Sequence, residues 1–241
     1  MRKKEDSSPV CVVLGDARGE CFQVLDYFGS IGCSIAFMGV QKELGLRVKG
    51  YLEEKYNVAV FFFHGDAESE PDMEYFAGGI GGMFQRVDYF VNYACIHPCL
   101  GKKHCCVEHM TVALRDGVAK PFLMVKQLSD YFSEDSYIFN LANAYCYHGP
   151  EGLRTCTCPI QKGLDSVLGS IRDYLGDRVK VYGIGHDEKE YTKETGSKLV
   201  SMIQYLSSPE GLYMNGHMIE LDELTSFMFY NGEKESGKSC N

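Results

Sequence analysis

At 241 residues and 45% hydrophobic composition, the chain can bury one substantial core, and a single α/β domain over 9–230 accommodates it without a second. A formal charge of −9 excludes a nucleic-acid backbone as partner, because that binding draws its affinity from clustered Lys and Arg that displace counterions. No apolar run approaches the length that crosses a bilayer, and the eleven cysteines follow an N-terminal segment without the apolar stretch of a secretory signal; no membrane partner, reduced thiols and a cytoplasmic location are therefore expected.

Residues 1–8 and 231–241 are polar and are expected to be loose tails. Between them, short apolar segments at 10–14, 33–38, 57–63, 87–91, 136–141, 178–184 and 216–221 read as strands, and most of the gaps carry helical periodicity. Near-continuous apolar runs such as Val58 to Phe63 imply burial on both faces, a property of parallel sheets covered by helices. The expected fold class is α/β, a Rossmann-type doubly wound, mostly parallel seven-stranded sheet with helices on both faces. In such a sheet a ligand lies beyond the carboxyl ends of the strands, where strand order reverses. Between 159 and 176, Ile160, Leu164, Val167, Leu168, Ile171 and Leu175 form one apolar helical stripe, and Lys162 lies off it.

The first strand runs directly into Leu14-Gly15-Asp16-Ala17-Arg18-Gly19-Glu20-Cys21. Gly15 allows a sharp exit from the strand and Gly19 lets a helix begin close to the sheet, so the unpaired N–H groups of the first helical turn face an incoming anion. A phosphate cradle, and hence a nucleotide, is the expected use. Cys21 occupies the place where a third glycine would complete such a turn.

Taken in order, these landmarks resemble the short-chain dehydrogenase/reductase family, from about Val10 to Asp222. The glycine turn is similar to that family's Thr-Gly-x-x-x-Gly-Ile-Gly. Asp66, with Ala67 beside it, matches the acidic residue that contacts adenine. Val87 to Cys95 resembles the strand ending in Asn-Asn-Ala-Gly, with Asn92 and Ala94 kept, and the segment from Ser208 to Asp222 is similar to the closing Thr-Gly-Gln, strand and Asp. The resemblance implies cofactor contacts from Gly15, Asp16, Ala17, Arg18, Gly19, Glu20, Asp66, Ala67, Asn92, Ala94, Lys162 and Gly185. It also implies a small-molecule substrate and assembly as a homodimer or homotetramer.

The departures lie in the proton-handling groups. The family's Tyr-x-x-x-Lys reads Cys158-Pro-Ile-Gln-Lys162 here, its serine falls near Asn143 to Tyr145, and its supporting asparagine aligns with about Leu114. His186-Asp187 stands where the family has Pro-Gly after the sixth strand. By resemblance Lys162 holds the nicotinamide ribose. Tyr145 can bring a hydroxyl from the serine side, and Cys158 occupies the tyrosine's place with a shorter, more acidic side chain. His148 and His186, in loops expected near the mouth, read either as proton donors or as idle exposed side chains. Two functions remain open: an oxidoreductase reducing a small carbonyl or enoyl compound, and a pseudoenzyme acting as a dinucleotide-binding or assembly module.

An acid at the end of the second strand selects NAD by binding the ribose 2′-hydroxyl. Met38-Gly-Val-Gln-Lys42 has none, and Arg18 supplies a charge for a 2′-phosphate, so NADP(H) is the expected cofactor. Cys95, His97, Cys99, His104, Cys105, Cys106 and His109 crowd one stretch, but their spacing follows no familiar zinc site and cysteine serves equally as a small buried apolar residue, so no metal is assigned. Gly78-Gly-Ile-Gly-Gly82 lies at helical spacing and reads as close helix packing rather than a second phosphate loop, and the aromatic run Phe227 to Tyr230 reads as a subunit contact.

Overall fold

The structure is a computed structural model in which residues 8–94, 107, 111, 114–143, 163, 166–186 and 193–221 are described. Strands β1 (Val10–Leu14), β2 (Ser34–Gly39), β3 (Val60–His64), β4 (Val87–Ala94), β5 (Phe132–Asn143), β6 (Val179–His186) and β7 (Met218–Glu220) form one sheet in the order β3-β2-β1-β4-β5-β6-β7. All six neighbouring pairs are parallel. Strand order reverses between β1 and β4, where the ligand crevice of a doubly wound sheet opens. Among the described residues no helix is long and apolar enough to cross a membrane.

The alternation of side chains along each strand divides the core into two layers. Cys11 and Val13 of β1 point to one face with Ile35, Phe37, Val91 and Tyr182, whereas Val10, Val12 and Leu14 point to the other with Ala36, Phe90 and Ile138. The first face is covered by α1 (Gly19–Ser30), α2 (Lys42–Tyr56) and α6 (Lys193–Leu206), through Val24, Leu25 and Phe28, Val48 and Leu52, and Leu199 to Leu206. The second is covered by α3 (Glu70–Met83), α4 (Lys120–Leu128) and α5 (166–175). In α5 the predicted stripe is present in its described part, with Val167, Leu168, Ile171 and Leu175 all buried. Each such aliphatic or aromatic side chain contributes about 1.5–3 kcal/mol on burial, which makes this two-sided coverage the principal source of stability.

Three expectations change at the element level. Of the run Val58 to Phe63 only Val60 onward belongs to β3, which is an edge strand with Phe61, Phe62 and Phe63 only half-buried. Its aromatic rings cover both faces sideways: Phe61 and Phe63 pack on Phe76 of α3, and Phe62 on Phe37 of β2. Strand β4 runs three residues beyond the expected 87–91, because Asn92, Tyr93 and Ala94 continue in register with Asn140, Leu141 and Ala142. Strand β5 starts four residues before 136, with Phe132 pairing to Val87; Asp135 in the left-handed region at φ 60° and a register shift between Val87 and Tyr89 break the apolar pattern there.

The glycine run lies inside α3, as the spacing predicts. A Cβ on Gly79 would stand 2.4 Å from Phe61, whereas Gly78 and Gly82 have open space. Close packing against β3 is the physical reason for Gly79.

Candidate functional site

A cleft of about 550 Å³ opens at the carboxyl ends of β1, β2, β3 and β4. Its floor is the glycine turn. A Cβ on Gly15 would lie 2.9 Å from Cys21 Sγ and 3.0 Å from Tyr93 Cβ, so only main chain fits at this point. Gly19 opens α1 at φ 53°, in the left-handed region that strains any side chain. Arg18 precedes it in extended conformation and makes no side-chain cap, leaving the start of α1 without a capping side chain of its own. The turn is closed internally by the Arg18 N–H donating to the Asp16 carbonyl at 2.7 Å.

The opposite wall is built by the loop between β3 and α3. The Asp66 N–H donates to Asp72 Oδ2 at 2.8 Å, the Glu68 N–H donates to Asp66 Oδ1 at 2.8 Å, and the Asp72 N–H donates to Ser69 Oγ at 3.3 Å, capping α3. These short-range bonds fix Asp66 and Ala67 at the cleft edge. Glu68 pairs with Arg115 at 2.9 Å and Lys120 at 3.8 Å, tying this loop to the π-helical turn Arg115–Ala119 and the start of α4.

Of the residues expected to contact a cofactor, Gly15, Asp16, Arg18, Gly19, Glu20, Asp66, Ala67 and Asn92 line this one cleft. Ala17 instead packs into the first core layer, and Gly185 lies within β6, paired with Ala142 and Glu220 rather than lining the cleft. Ala94 ends β4, two residues beyond Asn92. Lys162, Tyr145 and Cys158, together with the Cys/His stretch from Cys95 to His109, His148 and the Phe227 to Tyr230 run, lie outside the described residues. Leu114, the position aligned with the family's asparagine, is exposed immediately before the π-helical turn.

Several lining residues escaped sequence reasoning: Met38, Gly39 and Val40 from the end of β2, Gly65 and Glu68 from the next loop, Tyr93, and Lys120. Cys21, recognisable only as a missing third glycine, also lines the cleft, 3% exposed and with its Sγ tucked against Gly15. The sequence reading takes the end of β2 only for its missing acid and the loop after β3 only for Asp66 and Ala67; nothing in the sequence marks Lys120.

The cleft mixes charges. Asp16, Glu20, Asp66 and Glu68 are set against Arg18 and Lys120, and Glu20 is 4% exposed in the first turn of α1. Beneath the cleft, Asn92 and Asn140 are register partners on β4 and β5, and neither Asn140 amide atom has a hydrogen-bond partner among the described residues. A main-chain floor at a helix N-terminus, an arginine at its rim and an ordered acidic loop opposite can hold an extended anionic ligand with a planar group at one end.

No family model and no curated protein matches this sequence. Solved structures do match in fold. A short-chain dehydrogenase/reductase from Serratia marcescens superposes with a TM-score of 0.75 at 15% identity, covering 88% of this chain and 95% of that one. A blue fluorescent protein from a metagenomic library, in complex with NADPH, gives 0.74 at 18% identity with the same coverage. A short-chain dehydrogenase from Burkholderia cenocepacia, in complex with NADP, gives 0.74 at 13% identity, again over 88% of this chain and 95% of that one. The chain therefore has the Rossmann-type fold of the short-chain dehydrogenase/reductase structures.

Proposed function

We propose that this chain binds NADP(H) in the cleft at the strand-order reversal and acts as an oxidoreductase of the short-chain type on a small carbonyl or enoyl compound. The observation that carries the reading is the convergence of Gly15, Arg18, Gly19, Asp66, Ala67 and Asn92 on one cleft at the carboxyl edge of a parallel sheet. The residues fit the group. The floor at Gly15 admits main chain only, the start of α1 suits a pyrophosphate, Arg18 suits a 2′-phosphate, and the fixed Asp66 loop suits the adenine edge. Two of the similar folds are described in complex with NADPH or NADP.

When bound, the dinucleotide supplies or accepts a hydride. This chain's own contribution is to hold and orient it, with Lys162 proposed at the nicotinamide ribose and Tyr145 and Cys158 proposed, by resemblance, as groups able to hold a proton. A second reading is supported by the sequence resemblance, in which the family's tyrosine falls at Cys158 and its serine near Asn143 to Tyr145, where no serine occurs, and by the four carboxylates that line the cleft against two cations. On that reading the protein is a dinucleotide-binding or assembly module without turnover.

Calorimetric titration with NADPH, followed by absorbance at the reduced nicotinamide band with a panel of carbonyl and enoyl substrates, separates the two. Saturable binding with turnover that Lys162→Ala abolishes, without loss of the folded state, is expected for the enzyme. Binding without turnover on any substrate selects the dinucleotide-binding module, and no binding at all removes both the enzyme and that module, leaving only the assembly role.

A further inference from the structure

The end of β2 carries no acid in sequence, yet it has one in space. Asp16 Oδ1 lies 3.6 Å from the position a Cβ on Gly39 would take, and among the described residues no other atom beyond Gly39 and its chain neighbours comes within 4 Å of that position. Gly39 is the last residue of β2 and lines the cleft with Met38 and Val40. A carboxylate here accepts hydrogen bonds from ribose hydroxyls and repels a phosphate on the same ribose. The second oxygen, Oδ2, stands 3.6 Å from Arg18 Nη2, so the same side chain also partly neutralises the cation that would receive a 2′-phosphate. Both side chains of the pair are about half exposed, at 55% for Arg18 and 49% for Asp16, which leaves them loosely held and able to exchange partners.

We propose that Asp16 is a specificity-determining residue that limits discrimination between NADP(H) and NAD(H). It offers an acceptor to an unphosphorylated adenosine ribose at the end of β2, and it competes with a 2′-phosphate for Arg18. The glycine turn thus contains two opposed selectors two residues apart, Arg18 favouring the phosphorylated and Asp16 the unphosphorylated dinucleotide, and the cleft accepts both. The inference rests on the dinucleotide-binding reading above. It goes beyond that reading by locating the counter-selector in the turn rather than at the end of β2.

The test is calorimetric titration of the full chain and of Asp16→Asn, Asp16→Ser and Arg18→Ala with NADPH, NADH, adenosine 2′,5′-bisphosphate and ADP. Removing one like charge beside the 2′-phosphate is expected to raise the NADPH-over-NADH affinity ratio about tenfold in both Asp16 variants, with the same trend for the bisphosphate over ADP. Arg18→Ala is expected to lower that ratio by a comparable factor. An unchanged ratio in the Asp16 variants, with both dinucleotides still bound, overturns the role given to Asp16 and leaves the cofactor reading intact. Failure of the unaltered chain to bind either dinucleotide overturns both.

Discussion

Tyr182 illustrates how a single side chain sets a measurable property. It lies on β6, fully buried and stacked at 5.7 Å on Phe139 of β5, and its hydroxyl has no hydrogen-bond partner among the described residues. Burying a hydroxyl without a partner is costly, so Tyr182→Phe is expected to stabilise the fold by about 1 kcal/mol, read as a higher midpoint in denaturant. Burial also pushes this phenol up to about 12, as it does Tyr89, from the unfolded value near 10. Because the folded value is the higher one, the proton-linked stability is complete below about pH 10 and is lost as pH rises from there toward 12, the unfolded chain ionising first. Base unfolding in that window, followed by circular dichroism, is expected to move to higher pH in Tyr182→Phe; a variant that unfolds at the same pH would contradict this account. At this scale the sequence exposed much of the cleft floor, since Gly15, Arg18 and Gly19 are neighbours in the chain and their turn chemistry is local. Gly39 and Lys120 were illegible because their place in the cleft depends on strand register and on where α4 meets the loop after β3.

Within one element, two glycines of α2 make opposite predictions. Gly45 faces the sheet, and a Cβ there would stand 2.0 Å from the Phe62 ring, which is itself packed on Phe37. Gly50 is exposed, and a Cβ there would meet no atom of another element within 4 Å among the described residues. Gly50→Ala is therefore expected to stabilise the protein by about 1 kcal/mol through helix propensity alone. Gly45→Ala is expected to destabilise it by about 1–2 kcal/mol, the overpacking of the ring outweighing the same propensity gain. Thermal melts of the two variants moving in the same direction would refute the packing argument. Helices and strands were largely legible because burial on one or two faces writes a period into the sequence. Strand ends were less so: the apolar run of β3 carries the composition of a central strand although it lies at an edge, its aromatic rings supplying the cover that a neighbouring strand would otherwise give.

For the molecule as a whole, the two-layer core also encloses chemistry. Cys11, Cys21 and Cys33 are buried cysteines. Burial, with the nearby Cys33 and Asp88, holds the Cys11 thiol well above its ordinary range, and burial beside Asp88 lifts Cys33 to about 12. A thiol that cannot ionise reacts slowly, so alkylation at pH 8 is expected to leave Cys11 and Cys33 unmodified in the native protein and to label them fully in denaturant, as mapped by mass spectrometry. Labelling of Cys11 in native buffer would show that the centre of the sheet opens far more readily than its packing implies. The number and parallel sense of the strands were legible because alternating strand and helix patterns leave few ways to build a covered sheet. The order in which they lie side by side depends on the crossovers between strands, and only the doubly wound class, not the order itself, is legible in the sequence.

That order has a consequence for synthesis. Val10–Leu14 is made first but ends between β2 and β4, so a growing chain that has reached His64 can pair only one side of its earliest strand. The other side remains a bare row of amides and carbonyls until Val87–Ala94 has emerged, an adhesive edge of the kind that templates association between nascent chains. The interval between those two segments, which contains α3, is the window in which that edge is open to such association.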